Sequence, residues 1–140
     1  MKQNGLNIKY INTTPEEIKD QKFDVILCME IIEHVEDVNF FIESCINLLK
    51  PKGIIFFATL NKTLKSFALA IIGAEYVLKW LPIGTHNWKK FISPNEIINK
   101  VSKHLLTHIE TKGVTFNPFK NKWNLSNDTD VNYMCYFKKN

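Results

Sequence analysis

The chain has 140 residues, of which 45% are hydrophobic and 23% charged, values typical of a single soluble globular domain with a buried core. Its net charge is +4, but all 18 basic residues are lysine and they are scattered along the chain. We therefore expect no nucleic-acid partner, because that function needs a clustered basic face. We also expect no membrane span, because the sequence has no run of about 18 apolar residues.

Cysteine usage and the N-terminal residues bear on the cellular compartment. Cys28, Cys45 and Cys135 lie far apart in apolar surroundings, without a CxxC pair or a Cys/His spacing typical of a metal site. The first residues contain no apolar segment of the kind found in signal peptides. These features predict reduced, partly buried thiols in a cytoplasmic protein.

The first predicted elements are a strand, a short helix and a buried strand. Leu6 to Ile11 has a short strand pattern. Thr14-Pro15-Glu16-Glu17 is a capping box with proline at the first helical position, so a helix is expected to begin there and end near Gln21. Phe23 to Met29 is a continuous apolar run with β-branched residues, which is typical of a strand buried in a parallel sheet.

A helix and a second strand follow at the spacing of a βαβ unit. Apolar residues recur at helical spacing from Asp37 to Leu49, and Pro51-Lys52-Gly53 should end that helix. Ile54 to Thr59 is a second buried strand pattern. Strand, helix and strand within about forty residues predict an α/β fold with a parallel sheet.

The rest of the chain predicts one more helix and two strands. Ser66 to Leu81 is apolar without a clear period, and Ser93-Pro94-Asn95-Glu96 is a second capping box. Two strand patterns are joined by a loop rich in Asn and Lys. The expected apolar face of the helix consists of Ile97, Ile98, Val101 and Leu105. The predicted strands are Thr107–Phe116 and Val131–Phe137, and the loop between them is Pro118–Asp130.

The most informative residues follow the first buried strand. If the chain turns helical there, Glu30, Glu33 and His34 share one face of the helix. Two carboxylates and an imidazole can hold a divalent metal, or His34 can take a proton from a hydroxyl nucleophile. The alternative is structural, because acidic residues favour the first turn of any helix and a neighbouring histidine can simply pair with them.

Several motifs in this order resemble one enzyme family. The segment from Phe23 to Val35 resembles the post-strand motif of class I S-adenosylmethionine-dependent methyltransferases, and more narrowly of the ubiquinone biosynthesis O-methyltransferases. The matching motifs further along the chain are Lys50-Pro51-Lys52-Gly53, Thr59-Leu60-Asn61, Gly73-Ala74-Glu75-Tyr76, Gly84-Thr85-His86, Lys90-Phe91-Ile92 and Asp130-Val131-Asn132-Tyr133-Met134.

The resemblance implies an incomplete fold. Class I methyltransferases have a Rossmann-like α/β sheet in the strand order 3-2-1-4-5-7-6. Residues 1–140 match the C-terminal portion of that single domain, with an apolar insertion at about residues 62–92. The first two strands and the glycine-rich loop are lacking, since no G-x-G-x-G pattern occurs. The edge of the Phe23–Met29 strand should then be bare and apolar, and donor binding should need a complementary N-terminal segment.

The resemblance also implies a reaction and its residues. The family methylates a hydroxyl of a polyprenylated catechol or demethylubiquinol with S-adenosylmethionine. Met29 matches a position that contacts the methyl donor. Glu30, Glu33 and His34 match positions associated with a divalent metal, here Mg²⁺, and Glu33 and His34 are candidate catalytic residues. His86 is either a third catalytic residue that orients the quinol or a residue that only bonds the backbone.

The apolar insertion and the missing segment leave alternatives open. The insertion, with Lys62, Lys65 and Lys79 nearby, either lies on an anionic membrane as a peripheral anchor at the inner membrane or covers the active site. The alternative to an enzyme is an inactive remnant, or a non-enzymatic module for membrane or protein interaction.

Overall fold

The computed structural model describes residues 7–69, 71–72, 82, 87–117 and 120–140. Within them are five strands, three helices and two short 3₁₀ turns. The strands are β1 (Phe23–Met29), β2 (Leu49–Leu60), β3 (Leu106–Asn117), β4 (Lys122–Ser126) and β5 (Asn132–Lys139). The helices are α1 (Val38–Asn47), α2 (Leu64–Ser66) and α3 (Pro94–Val101), and the 3₁₀ turns are Pro15–Glu17 and Trp88–Lys90.

The five strands form one sheet in the order β1-β2-β5-β3-β4. β1 and β2 are parallel and are connected through α1, so the predicted βαβ unit is confirmed. β5 lies between β2 and β3 and is antiparallel to both. The order β1-β2-β5-β3 is the 4-5-7-6 half of the sheet that the resemblance implies. The chain thus has a partial Rossmann-like methyltransferase fold, as predicted.

Local sequence signals place the boundaries of the first elements. β1 has the bounds that its apolar run predicts. Asp37 caps α1, because its Oδ1 accepts the backbone N–H groups of Asn39 at 2.9 Å and Phe40 at 3.0 Å. The predicted strand from Leu6 to Ile11 is wrong for its described part, since residues 7–11 are irregular. A strand there would need a hydrogen-bonded neighbour, and β1 pairs only with β2 among the described residues.

The core lies between one face of the sheet and two helices. Ile97 and Val101 of α3 are fully buried, as predicted, and pack in the same cluster as α1 and the inner residues of β1, β2 and β5. The prediction for Leu105 is wrong: it lies beyond the end of α3 at Val101 and is exposed. The three cysteines are buried free thiols, as expected. Among the described residues, no helix is long and apolar enough to cross a membrane.

The other face of the sheet is open. Cys28 faces the core, so Leu27 and Met29 point away from it, and Leu27 is 63% exposed. Trp123 and Leu125 of β4 are also exposed. Among the described residues, the outward side chains of β1 and β4 are thus uncovered, and β1 is an edge strand with an apolar surface, as predicted.

One strand was missed by the sequence interpretation. The segment from Pro118 to Asp130 was predicted as a loop, but it contains β4, which forms an antiparallel hairpin with β3. Phe116 and Trp123 lie directly opposite each other in the two strands, and their ring centroids are 5.1 Å apart. This cross-strand aromatic pair stabilises a segment whose Asn-rich composition argues against a strand.

Candidate functional site

The chain changes direction sharply at the carboxyl end of β1. Glu30 adopts a left-handed backbone conformation, with φ of 50°, and its N–H donates a hydrogen bond to the carbonyl oxygen of Ala58 at 2.9 Å. Such a conformation is uncommon for a residue other than glycine and is often found at functional sites. It also interrupts any right-handed helix that would begin at this point.

The predicted helical arrangement of Glu30, Glu33 and His34 is therefore wrong. The three residues lie in an irregular turn, and the helix that follows, α1, begins only at Val38. Instead of sharing a helical face, the side chains separate: Glu33 is buried, while Glu30 and His34 are exposed residues. The charge of Glu33 nevertheless acts on Glu30, because it raises the pKa of the Glu30 carboxyl group.

Glu33 is a buried carboxylate with one fixed and one free oxygen. It is only 4% exposed, and its Oε2 accepts a hydrogen bond from the hydroxyl of Thr59 at 2.7 Å. Its Oε1 is buried without a hydrogen-bond partner among the described residues. Nε2 of His34 lies 3.9 Å from Oε1, which is too far for a hydrogen bond. A buried, unpartnered acceptor is costly, so this oxygen is suited to receive a donor from a ligand.

Glu30 has an altered affinity for protons. Loss of hydration around its carboxyl group, followed by repulsion from the neighbouring Glu33, raises the pKa of Glu30 from an ordinary value of 4.5 to about 7. A carboxylate with a pKa near neutral pH accepts a proton more readily than an ordinary glutamate does. Its position at the carboxyl end of β1 makes it a candidate proton acceptor.

A cavity of about 320 Å³ opens beside Glu30. It lies where the carboxyl ends of β1 and β2 meet the start of β5, and the β3–β4 hairpin forms its far wall. The amide oxygen of Asn132 is buried there without a hydrogen-bond partner among the described residues. The hydroxyl of Tyr133 donates instead to the carbonyl of Ile92 at 2.9 Å, and burial raises its pKa. The lining residues are Met29, Glu30, Ala58, Val114, Trp123, Asn132, Tyr133 and Met134.

The structure describes some of the predicted site residues and not others. Met29 lines the cavity and has its side chain partly exposed, and its contact with the methyl donor stays a prediction. His86 lies outside the described residues. Thr59 and Asn132 were missed as site residues, although both fall within motifs that carry the resemblance. Thr59 and Asn132 are related to the site only by the register of the sheet, which cannot be deduced from sequence spacing.

The predicted metal site does not fit this arrangement. Among residues 7–69 and the other described segments, no group of three acidic, histidine or cysteine residues is placed to hold a metal ion. Oε2 of Glu33 already accepts a hydrogen bond from Thr59, and the side chain of His34 is 52% exposed. The Mg²⁺ implied by the resemblance stays a prediction from the sequence, and the chemistry below does not depend on it.

The sequence matches a known enzyme family. A profile described as a methyltransferase domain matches residues 3–110. The chain belongs to this methyltransferase family. It is 55% identical over 140 residues to a ubiquinone biosynthesis O-methyltransferase of Pelagibacter ubique, and 52% identical over 139 residues to that of Bartonella tribocorum. These alignments cover 99% and 98% of this chain but 58% and 56% of the relatives, so the chain spans just over half of their length.

Solved structures show the same fold at low sequence identity. The plantazolicin methyltransferase BpumL, in complex with S-adenosylhomocysteine, superposes with a TM-score of 0.66 at 17% identity, over 98% of this chain and 61% of that one. A methyltransferase of Thermotoga maritima gives a TM-score of 0.63 at 14% identity, over 93% and 63% of the two chains. The methyltransferase fold predicted from the sequence is confirmed, as is the family.

Removing the hydroxyl of Thr59 should destabilise the methyltransferase domain. Thr59→Val leaves Oε2 of Glu33 buried without a donor, so we expect the free energy of unfolding to fall by about 1–3 kcal/mol. Urea unfolding measures the change. Thr107→Val is the matched control, because that hydroxyl bonds Asn140 in an exposed position. An equal fall in the free energy of unfolding in the two variants would show that the buried hydrogen bond contributes no more to stability than the exposed one.

The raised pKa of Glu30 predicts a pH dependence of stability. Between pH 4.5 and about 7 the folded chain holds this proton and the unfolded chain releases it. Stability should therefore fall as pH rises through that window, by less than about 1 kcal/mol because solvent screens this exposed residue. Urea midpoints at pH 4.5 and pH 8 should differ less in Glu30→Gln than in the unaltered chain. An unchanged difference would contradict the assignment, and Glu43→Gln, at an exposed position of α1, is the control.

Proposed function

We propose that this chain is the C-terminal part of an O-methyltransferase that methylates a polyprenylated catechol or demethylubiquinol during ubiquinone synthesis. The observation that carries the proposal is the 55% identity, over 99% of the chain, to the ubiquinone biosynthesis O-methyltransferase of Pelagibacter ubique. The cavity beside Met29 and Glu30 supports it, because in open α/β sheets ligands bind at the carboxyl ends of the strands.

The enzyme should need a complementary N-terminal methyltransferase segment. β1 has a free edge whose exposed side chains, Val25, Leu27 and Met29, are apolar. A cavity of about 460 Å³ between this strand, α1 and residues 9–18 is also largely apolar. A further strand added at this edge would satisfy the free backbone groups, and elements packed on the open face would bury these side chains. The same segment would supply the glycine-rich loop that a methyl donor requires.

The described residues can perform the acceptor half of the reaction. S-adenosylmethionine, when bound, supplies a methyl group on a sulfonium, and Met29 would form one wall of its site. Glu30 takes the proton of the phenolic hydroxyl, which its pKa near neutral pH allows. The phenolic oxygen then forms the new O–C bond in line as the S–C bond breaks, so S-adenosylhomocysteine and the methyl ether leave.

Glu33 and His34 have supporting roles in this proposal. Glu33, fixed by Thr59, keeps a negative charge beside Glu30 and so helps to hold the proton that Glu30 has accepted. His34 is half exposed, and its Nε2 lies 3.9 Å from Oε1 of Glu33, so it would contribute a polar group at the mouth of the site. His86 is proposed to orient the quinol on the strength of the resemblance.

Peripheral contact with a membrane is a further part of the proposal. α2 and the residues after it carry exposed apolar side chains, among them Leu64, which is 80% exposed, and Leu69. The lysines contribute less, because Lys65 is paired with Asp128 at 2.6 Å and Lys62 donates to a backbone carbonyl at 3.2 Å. An apolar surface of this kind suits an enzyme whose substrate has a prenyl tail.

Combining the chain with an N-terminal segment should restore donor binding and activity. We would co-express it with the N-terminal residues of the Pelagibacter ubique relative, titrate with S-adenosylmethionine, and assay methylation of a demethylubiquinol. We expect micromolar donor binding, and Glu30→Gln, which removes the group that accepts the phenolic proton, should lower the rate by about 10²–10⁴-fold. Glu43→Gln, exposed on α1, is the matched control. Donor binding without methylation of any quinol would overturn the proposed reaction and favour the inactive remnant.

Replacing apolar side chains after α2 should weaken binding to lipid vesicles. Leu64→Ser combined with Leu69→Ser removes exposed apolar area, so the fraction that sediments with vesicles should fall several-fold. Because Lys65 is already paired, zwitterionic and anionic vesicles should bind similarly. Leu105→Ser, at an equally exposed leucine elsewhere, is the control. If this control reduces sedimentation as much as the double variant does, the α2 segment is not the anchor.

A further inference from the structure

Asn132 is a polar residue without a function in the mechanism above. It is the first residue of β5, between Leu60 of β2 and Val114 of β3. Its Oδ1 is one of two buried side-chain oxygen or nitrogen atoms that lack a partner among the described residues; the other belongs to Glu33. A buried amide oxygen without a partner is energetically costly, so a ligand that donates a hydrogen bond to Oδ1 would remove this cost.

The register of the sheet places Asn132 on the wall of the reaction cavity. Met29, Ala58 and Met134 lie side by side across β1, β2 and β5. Asn132 is two residues from Met134 along β5, so both point to the same face of the sheet. The amide therefore faces the same cavity as Met29 and Glu30. Glu30, which directly follows β1, contributes a carboxyl group to that cavity, and Asn132 of β5 contributes an amide.

The cavity has the shape and chemistry of a site for one aromatic ring. Its volume of about 320 Å³ is at the lower end of the range for small-molecule sites, so a single substituted ring fits and a long tail must extend out of it. Trp123 offers an exposed ring face, and Val114 and Met134 supply apolar contacts. An aromatic ligand would pack against such walls.

We infer that Asn132 is a specificity residue that binds the non-reacting hydroxyl of a dihydroxyaryl substrate. This inference rests on the proposed function, because it assumes that the reacting hydroxyl of the ring lies in the cavity that Met29 and Glu30 line. A phenolic hydroxyl both donates and accepts hydrogen bonds, so it can pair with either end of an amide. A ring that lacks the second hydroxyl leaves Oδ1 of Asn132 buried and unpaired, and the site discriminates against it.

The test compares two rings on the protein completed with its N-terminal segment. The probes are 4-methylcatechol and 4-methylphenol, which differ only by one hydroxyl next to the shared one. Binding is measured by titration in the presence of S-adenosylhomocysteine, so that no turnover is needed. We expect the unaltered protein to bind 4-methylcatechol about tenfold more tightly than 4-methylphenol, and Asn132→Leu to remove that preference.

Controls separate specificity from stability. Asn124→Leu, at an exposed asparagine of β4, should keep the tenfold preference. Asn132→Ser keeps a hydroxyl at the site and should retain part of it, which provides a second variant if the leucine variant does not fold. Weaker binding of both rings by the same factor in Asn132→Leu would indicate a structural role only and would overturn the inference.

The remaining outcomes also distinguish between the inference about Asn132 and the proposed function. If the unaltered protein binds the two rings equally, or binds neither, Asn132 has no specificity role. The proposed function is judged separately by transfer of the methyl group to a demethylubiquinol. If transfer occurs and Asn132→Leu leaves the ring preference unchanged, the inference fails while the proposed function stands. If the donor binds but no quinol is methylated, the proposed function fails.

Discussion

The position of β5 between β2 and β3 is the constraint on which the site depends. β1 and β2 are parallel, so their carboxyl ends meet at one edge of the sheet. β5 runs in the opposite direction, so its first residue, Asn132, arrives at that same edge. A strand parallel to β2 would bring its last residues there instead. The reversed strand thus brings groups that are about a hundred residues apart in sequence to one cavity.

The buried carboxylate of Glu33 shows how stability and chemistry compete at this edge. An ionised carboxylate loses its hydration when it is buried, and the single hydrogen bond from Thr59 compensates only part of that loss. The other oxygen remains unpartnered, and its charge raises the pKa of Glu30. A core that was optimised for stability alone would contain an apolar residue at this position. Packing alone therefore does not explain the arrangement.

Much of the fold was predictable because its signals are local. The apolar run of β1 gave both bounds of the strand, and Ser93 with Glu96 forms the predicted capping box through a 2.8 Å bond from the backbone N–H of Ser93. The turn after β1 was not predictable from spacing, because the left-handed conformation of Glu30 depends on its bond to Ala58 of the neighbouring strand. β4 was missed for a similar reason, since its pairing with β3 outweighs a composition unfavourable for strands.

The candidate site residues show the same difference between local signals and signals that depend on strand pairing. Met29 was predicted from the family resemblance, and Glu33 was predicted from its spacing to Glu30 and His34 and from the same resemblance. Thr59 and Asn132 contribute to the same region from β2 and β5, and only the register of the sheet relates them to it. Their motifs indicated the family without indicating a role.

The central position of β5 also affects how the chain can fold during synthesis. β2 and β3 do not pair with each other; each pairs with β5, which ends at Lys139. Until those last residues leave the ribosome, the βαβ unit and the β3–β4 hairpin have no common strand. During that interval both units have unpaired, partly apolar edges that chaperones can recognise. A ribosome that stalls before Asn132 would release two separate substructures that cannot join into one sheet.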